Sequence, residues 1–287
     1  MARAFPPPAL DDAPLASGLY VVATPIGNLR DITLRALDVL AQADLVLAED
    51  TRVAGKLLSA FGLSAKLERY DEHGAERARP RALAALAGGA RVALVSDAGT
   101  PLVSDPGYRL VREAAQAGHP VFPIPGASAL LAGLSVAGLP TDRFLFAGFP
   151  PPKSAARRAF LEEVAGVRAT LVFFEGGSRL AASLADMAAV LGDREAVVCR
   201  ELTKLYETVV RGRLADLAAD PRFEAPKGEI VVLVGPGRET AATAADADAA
   251  LAEALGRLKP ADAAAEVAKA LGLPRRDLYR RALELKR

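Results

Sequence analysis

The sequence predicts an α/β protein, because short apolar segments typical of buried strands alternate with amphipathic segments of helical period. The chain has 287 residues, of which 51% are hydrophobic, and this is enough for two α/β domains or one large one. A charged fraction of 25% fits a folded protein better than a disordered one. No apolar run approaches the roughly 20 residues that span a bilayer, so no membrane segment is predicted.

An N-terminal α/β domain is predicted over residues 18–138. Apolar segments that read as strands buried on both faces lie at 19–24, 45–49, 92–97 and 121–125. Helical spacing is found at 33–43, 51–61, 75–87 and 107–117. This alternation indicates a mostly parallel sheet that is covered by helices.

A second α/β domain is predicted over residues 139–237. The stretch 138–152 is rich in turn formers and ends in three prolines, which is typical of a linker. Beyond it, helices are expected at 154–164 and 178–191, and strands at 170–175, 195–201, 207–214 and 229–235. Strands that follow one another with little helix between them indicate a mixed sheet.

The two ends of the chain are expected to differ from these domains. Residues 1–17 include three consecutive prolines and two aspartates, so we expect a disordered tail and not a secretory signal. Residues 238–250 resemble a linker that runs into a helix. Residues 246–287 should form a small helical domain of helix-turn-helix pattern, with Gly272 capping one helix and Pro274 beginning the next. A simple packing cap is an alternative interpretation of this segment.

Composition limits the chemistry further. The single cysteine, Cys199, cannot form an internal disulfide, which fits a reducing cytoplasm, and its apolar neighbours indicate a core thiol. His73 and His119 stand far apart and lack cysteine partners, so no metal site is predicted. The net charge of +1 does not indicate nucleic-acid binding, although basic residues accumulate after residue 256.

Four loops that follow predicted strands combine glycines with polar residues. They are TPIGNLRDIT at 24–33, AEDTR at 48–52, SDAGTPLVSDPG at 96–107 and IPGASAL at 124–130. Open α/β sheets bind ligands at the carboxyl ends of their strands, so these loops predict a binding site. Turns and helix caps are the alternative, with Asp50 and Ser128 as N-caps. Gly27 alone does not make a GxGxxG fingerprint, which disfavours a Rossmann nucleotide site.

Together with RELTK at 200–204 and KGEIVVLV at 227–234, these motifs resemble, in order, the tetrapyrrole methylase superfamily. They are most similar to its members that 2′-O-methylate a cytidine of 16S ribosomal RNA. The resemblance covers residues 18–237 and continues in the C-terminal helices. It implies a cleft between two α/β domains that holds S-adenosylmethionine, a homodimer, a cytoplasmic location, and a substrate in the decoding centre of the small ribosomal subunit.

The resemblance also implies which residues contact the methyl donor. Carried over motif by motif, they are Pro25, Gly27, Asp97, Ala98, Gly99, Thr100, Val103, Ser104, Ser128, Ala129, Phe174, Leu202 and Gly228. One loop departs from the family pattern, since relatives usually have E-x-P-H-R where this chain has EGGSR at 175–179. Arg179 alone is kept there as a substrate contact.

A ribose hydroxyl is a weak nucleophile, so a general base or a charge stabiliser is expected beside the donor. The candidate catalytic bases are Glu49, Asp50, Glu201 and His73, with Arg52 or Lys204 to orient or stabilise, and the cluster of Glu49, Asp50 and Arg52 is favoured. RNA phosphates are expected to bind Arg30, Lys153, Arg157 and Arg158. Which carboxylate acts as the base stays open at this point.

Two rival functions use the same sequence features differently. A superfamily member could methylate a tetrapyrrole or a modified histidine of a protein, but AEDTR, RELTK and the basic C-terminal helices argue against it. A regulator that binds DNA through the helix-turn-helix would leave the ligand-like loops without a purpose. Binding to duplex DNA in the absence of a methyl donor would favour this regulator.

Overall fold

A computed structural model describes residues 10–11, 13–72, 74–237, 244–271 and 273–286 of the chain. The chain divides into two compact units, with the boundary between Pro236 and Gly237. The predictions made for His73 and Gly272 lie outside the described residues, as does most of the predicted tail at 1–17. The division of the first unit at residue 138 stays a prediction.

The first sheet has five parallel strands in the order β3-β2-β4-β1-β5. The strands are β1 (Gly18–Val22), β2 (Leu45–Ala48), β3 (Leu67–Arg69), β4 (Arg91–Val95) and β5 (Val121–Ile124). The accompanying helices are α1 (Leu34–Gln42), α2 (Thr51–Ala60), α3 (Ala75–Ala87), α4 (Tyr108–Gln116) and α5 (Ala129–Ala137). The predicted parallel sheet is confirmed, and β3 is the strand that the sequence pattern missed.

The second sheet also has five strands, in the order β6-β7-β10-β8-β9. They are β6 (Phe144–Gly148), β7 (Thr170–Gly176), β8 (Glu195–Arg200), β9 (Thr208–Arg213) and β10 (Glu229–Val234), with helices α6 (Ser154–Ala165), α7 (Leu180–Leu191) and α8 (Leu214–Ala218). Only β6 and β7 pair in parallel, so the predicted mixed sheet is confirmed. The short apolar run within the predicted break at 138–152 forms β6, a strand that the sequence pattern did not assign.

Both faces of the first sheet are buried, as expected for strands with helices on either side. Along β1, Leu19 packs against α3 and α4, whereas Val22 packs against α1 and α2. Helix α5 joins the two sheets, because its Leu134 lies in one apolar cluster with Val231 and Leu233 of β10. This packing sets the loops after β1, β4 and β5 opposite the second sheet.

The second unit contains three helices around its own apolar core. They are α9 (Ala244–Leu255), α10 (Pro260–Leu271) and α11 (Arg275–Leu285), and Leu251, Val267 and Leu278 fill the space between them. The two predicted helices are confirmed, and α9 occupies part of the predicted linker. Within the described ranges, no helix is long and apolar enough to cross a membrane.

Candidate functional site

A cavity of about 260 Å³ lies where the loops after β4 and β5 face β7 and β10. We call it the small cavity. Most residues predicted to contact a methyl donor line it: Asp97, Ala98, Gly99, Thr100, Val103, Ser104, Ser128, Ala129, Phe174 and Leu202. Ser128 is also the N-cap of α5, since its hydroxyl accepts from the amide of Leu131.

Sequence reasoning missed part of the wall of the small cavity. Asp105 lies in the loop after β4, and Phe149 follows the unpredicted strand β6. Glu175 is the next-to-last residue of β7, and residues 229–231 begin β10. The DPG segment at 105–107 could have drawn attention to Asp105, but the positions of Phe149, Glu175 and residues 229–231 depend on which strands become neighbours.

The small cavity is acidic. Four carboxylates line it, namely those of Asp97, Asp105, Glu175 and Glu229, and no lysine or arginine is among its described lining residues. Burial raises the pKa of Asp105, and the nearby Asp97 raises it further, although a hydrogen bond from Ser96 opposes both. The acidic residues favour a cationic ligand. Phe149 and Phe174, which pack edge to face, add apolar surface and favour a ligand that also has apolar parts.

Hydrogen bonds tie the ends of β2 and β4 together beside this cavity. The amide of Asp50 donates to Oδ1 of Asp97 at 2.9 Å, and the amide of Asp97 donates to the carboxylate of Glu49. Burial, followed by the charges of Asp105 and Asp97, raises the pKa of Glu49. The loops AEDTR and SDAGTP therefore form one polar cluster, as their positions at strand ends predicted.

Asp50 has two structural roles. It is the N-cap of α2, because its Oδ1 accepts from the amide of Arg52 at 2.8 Å. Its carboxylate also holds the guanidinium of Arg52, with 2.5 Å between Nη2 and Oδ2, and these hydrogen bonds hold the pKa of Asp50 well below its usual range. Arg52 itself is 85% exposed and points to the rim of a second cavity.

This second, large cavity of about 810 Å³ adjoins the small one. The turn after β1, the first turns of α2 and Lys204 line it, and Pro25 and Gly27 lie here instead of in the small cavity. Four residues line both cavities: Ile26, Asp97, Ala98 and Glu229. A ligand in one cavity can therefore meet a ligand in the other at these four residues.

Lys204 lies at this junction and connects the two sheets. Its Nζ donates to Glu201 at 2.7 Å and to Glu229 at 2.8 Å. Its aliphatic chain lies against Gly27, where a Cβ atom would be 2.4 Å from Cγ of Lys204. Burial opposes the charge of Lys204, but hydrogen bonds to Glu201 and Glu229 outweigh it and raise its pKa.

The predicted catalytic residue Glu201 lines neither cavity, and one of its carboxylate oxygens accepts two hydrogen bonds. Its Oε1 accepts from Lys204 and, at 3.0 Å, from the amide of Glu229. The hydrogen bond from Lys204, followed by that from Glu229, lowers the pKa of Glu201. Its carboxylate also fills the space that a side chain at Gly228 would need, with 2.5 Å to the position of a Cβ atom.

Two loops of the site contain strained backbone. Leu102 and Ser104 have φ of 76° and 67°, and Glu201 and Thr203 have φ of 54° and 67°. Residues other than glycine adopt this left-handed region at a cost, and such residues cluster at functional sites. The strain thus occurs in the two loops that border the small cavity and position Lys204.

The residues predicted to bind RNA have different environments. Arg30 and Lys153 are exposed. Arg157 is 3% exposed and its guanidinium pairs with Asp186 at 2.6 Å, so the prediction that it binds RNA is corrected: it is a buried structural residue. Arg158 pairs with the same Asp186 but stays 54% exposed, and Arg179 pairs with the buried Glu175.

No group of three or more histidine, cysteine or acidic side chains that could hold a metal ion occurs in the described part of the chain. Cys199 is a buried free thiol at the end of β8, as predicted, and burial raises its pKa to about 11. Neither feature adds a reactive group to the two cavities.

Two family models match the sequence. The model described as Tetrapyrrole (Corrin/Porphyrin) Methylases matches residues 18–218. The model described as RsmI C-terminal HTH domain matches residues 241–286. Solved structures with the same fold include uroporphyrin-III-C-methyltransferase from Thermus thermophilus, with 23% identity and a TM-score of 0.54 over 76% of this chain and 94% of that one. Diphthine synthase has 19% identity and a TM-score of 0.59 over 76% and 89%.

Curated relatives are much more similar in sequence. A protein of Erythrobacter litoralis (strain HTCC2594) is 58% identical over 95% of this chain and 97% of its own length. A protein of Mesorhizobium japonicum is 53% identical over 95% and 94%, and one of Escherichia coli O157:H7 is 46% identical over 93% and 94%. All three are named Ribosomal RNA small subunit methyltransferase I.

Proposed function

This chain belongs to the tetrapyrrole methylase family, with relatives named ribosomal RNA small subunit methyltransferase I, and we propose that it methylates the 2′-hydroxyl of a cytidine in 16S ribosomal RNA. The methyl donor is S-adenosylmethionine and the target lies in the decoding centre of the small subunit. The proposal includes a homodimer and a cytoplasmic location, where ribosomal subunits are found. The observation that carries it is the pair of adjoining cavities, one acidic and one with a cationic rim.

The residues of the small cavity fit the methyl donor. The donor carries a sulfonium and an ammonium group, and the carboxylates of Asp97 and Asp105 complement these charges. The other two acidic residues of the wall are already paired, Glu175 with Arg179 and Glu229 with Lys204. Gly99, with φ of 84°, leaves the loop after β4 without a side chain at the cavity wall, and a Cβ atom there would approach Ile26 to 3.3 Å. Pro25, Gly27 and Gly228, which lie outside this wall, are omitted from the donor-binding set.

Once bound, the donor supplies a methyl group on a positively charged sulfur, which needs alignment more than covalent activation. The chain provides this alignment through the rigid strand ends that Asp50 and Asp97 tie together. Phe149 and Phe174 exclude water from the apolar side of the cavity. The carboxylate of Asp105 provides a fixed negative charge for the donor's cationic end.

The large cavity receives the acceptor nucleotide. Its volume of about 810 Å³ lies in the range of small-molecule sites, and it opens to solvent beside the cations Arg52 and Lys56. A cavity of this volume can hold one nucleotide of the RNA. Arg52, Arg30 and Lys153 would contact phosphates of the flanking chain.

The test is methylation of small ribosomal subunits from a strain that lacks this modification, with radiolabelled S-adenosylmethionine. The labelled nucleotide is then mapped by nuclease digestion. Label on a single cytidine ribose supports the proposal. Absence of label in RNA, while calorimetry still detects donor binding, would overturn the RNA assignment.

A further inference from the structure

We propose that Glu229 is the general base of the reaction and that Lys204 is the cation that stabilises the acceptor oxygen. This inference rests on the proposed function, since it needs a hydroxyl group in the large cavity. The base differs from the sequence-based candidates Glu49, Asp50, Glu201 and His73, whereas Lys204 is one of the two cations that the sequence offered to orient or stabilise. The argument depends on where the two cavities meet.

Glu229 borders both cavities at once. Only Asp97 shares this position among the described acidic residues that line them. Oδ1 of Asp97 accepts from the amide of Asp50, which ties this carboxylate to the end of the first sheet. The side chain of Glu229 is 75% exposed and its Oε2 accepts from Lys204, so one carboxylate oxygen can still accept a proton.

The alternative bases are less suitable. Asp50 is held by the guanidinium and the amide of Arg52. Glu201 accepts two hydrogen bonds on one oxygen and is inserted against Gly228. Glu49 lines neither cavity and accepts from the amide of Asp97. Each of these carboxylates therefore organises a loop, and Glu229 is left facing the place where the acceptor must lie.

Lys204 is held at the junction from two sides. The strained loop at Glu201 and Thr203 brings Nζ between the two carboxylates of Glu201 and Glu229. The bare backbone of Gly27 leaves room for the aliphatic chain. Lys204 lines the large cavity but not the small one, so its charge acts on the acceptor and not on the cationic donor. Gly27 and Glu201 are accordingly positioning residues.

The reaction step balances without a further reactant. The 2′-hydroxyl proton passes to the carboxylate of Glu229 while the oxygen forms a bond to the methyl carbon. The carbon–sulfur bond breaks, and its electron pair stays on the sulfur, which becomes a neutral thioether. Lys204 lowers the energy of the negative charge that develops on the oxygen as its proton leaves.

The experiment compares Glu229→Gln, Glu229→Asp and Lys204→Met with wild type in single-turnover methylation of small subunits. Donor binding and subunit binding are measured separately by calorimetry and filter binding. We expect Glu229→Gln to lower the rate at least about 100-fold. Lys204→Met should lower it about 100-fold, while Glu229→Asp, which keeps a carboxylate, should lose less.

Controls separate the possible failures. In these variants the dissociation constants for the methyl donor and for small subunits should stay within about threefold of wild type. The loss of rate then lies in the chemical step. Glu224→Gln and Lys66→Met change exposed residues away from both cavities and should react as wild type does. A Glu229→Gln variant that keeps the wild-type rate overturns this inference. No RNA label with the wild-type enzyme instead overturns the proposed function.

Discussion

Lys204 occupies the space in which a side chain at residue 27 would lie, since a Cβ atom on Gly27 would be 2.4 Å from its Cγ and 2.5 Å from its Cε. We therefore expect Gly27→Ala to displace Lys204 from the junction and to lower the methyl-transfer rate at least about tenfold. The φ of 144° also makes alanine costly, by about 1–2 kcal/mol in the free energy of unfolding. Single-turnover kinetics and urea unfolding measure the two effects.

Gly62→Ala is the matched control for this substitution. Gly62 has φ of 70°, but nothing lies within 4 Å of its Cβ position. It should lose stability for the same conformational reason and keep the wild-type transfer rate. Equal transfer rates in the two alanine variants would show that Gly27 does not act through Lys204.

The exposed guanidinium of Arg52 should contribute to RNA affinity. We expect Arg52→Ala to weaken binding of small subunits several-fold and to reduce the slope of log affinity against log salt by about 1. Filter binding over a range of salt concentrations measures both. Arg222→Ala is the control, because Arg222 forms the same amide and bidentate contacts with Asp220 but lines neither cavity. A similar loss of affinity in both variants would contradict a local role for Arg52.

Donor binding should depend on the ionisation of Asp105. Burial, and then the neighbouring Asp97, raise the pKa of this carboxyl, so it becomes neutral at a higher pH than an ordinary aspartate. Because the neutral form no longer attracts a cationic donor, the dissociation constant should rise as pH falls, and the rise should begin at a higher pH than for an ordinary aspartate. Calorimetry on Asp105→Asn should find weaker binding at pH 7 and a flatter pH dependence, and Asp142→Asn, an exposed control, should match wild type. An unchanged pH dependence in Asp105→Asn would assign the titration to another group.

The two arginines beside Asp186 should differ in their effect on stability. Arg157 and Asp186 have side chains that are 4% and 5% exposed, so Arg157→Met leaves a buried carboxylate with fewer partners and should cost about 3–5 kcal/mol. Arg158 is 54% exposed, and Arg158→Ala should cost less than about 1 kcal/mol. Urea unfolding measures both values. If the folded Arg157→Met protein bound small subunits much more weakly than wild type, its assignment as a purely structural residue would fail.

Acid should weaken the same buried pair. Burial opposes ionisation of Asp186, but hydrogen bonds from Arg158, Ser154 and Arg157 outweigh it and lower its pKa. A carboxyl with a lowered folded-state pKa stabilises the protein above its unfolded pKa, and this stabilisation is lost as pH falls through the folded value. The difference in unfolding free energy between wild type and Asp186→Asn should therefore shrink below about pH 4.

Strand periodicity was sufficient to predict the parallel sheet because its central strands are apolar on both faces. It missed β3, whose three residues Leu67–Arg69 are partly exposed and too short for a period to be recognised. It also missed β6, where Phe144–Gly148 lies among turn formers and pairs only along one edge, with β7. Short edge strands take their conformation from a neighbour, and that neighbour is not apparent in local sequence.

The loops around the small cavity could be located because parallel strands all present their carboxyl ends at one edge of a sheet. The junction between the cavities could not be found in this way. Lys204 and Glu229 are 25 residues apart and meet because β8 pairs with β10, which places Ile230 opposite Arg200. For Arg157 the local sequence was misleading. It belongs to a basic cluster in the sequence, but its side chain is buried and donates to Asp186, 29 residues away.

The position of β10 has a consequence for biosynthesis. This strand is the last of the second sheet to leave the ribosome, yet it lies at the centre and pairs with both β7 and β8. A nascent chain that ends before Glu229 has two separate strand pairs and lacks one wall of the small cavity. The enzyme thus becomes able to hold its methyl donor only after almost all of its first unit has been translated.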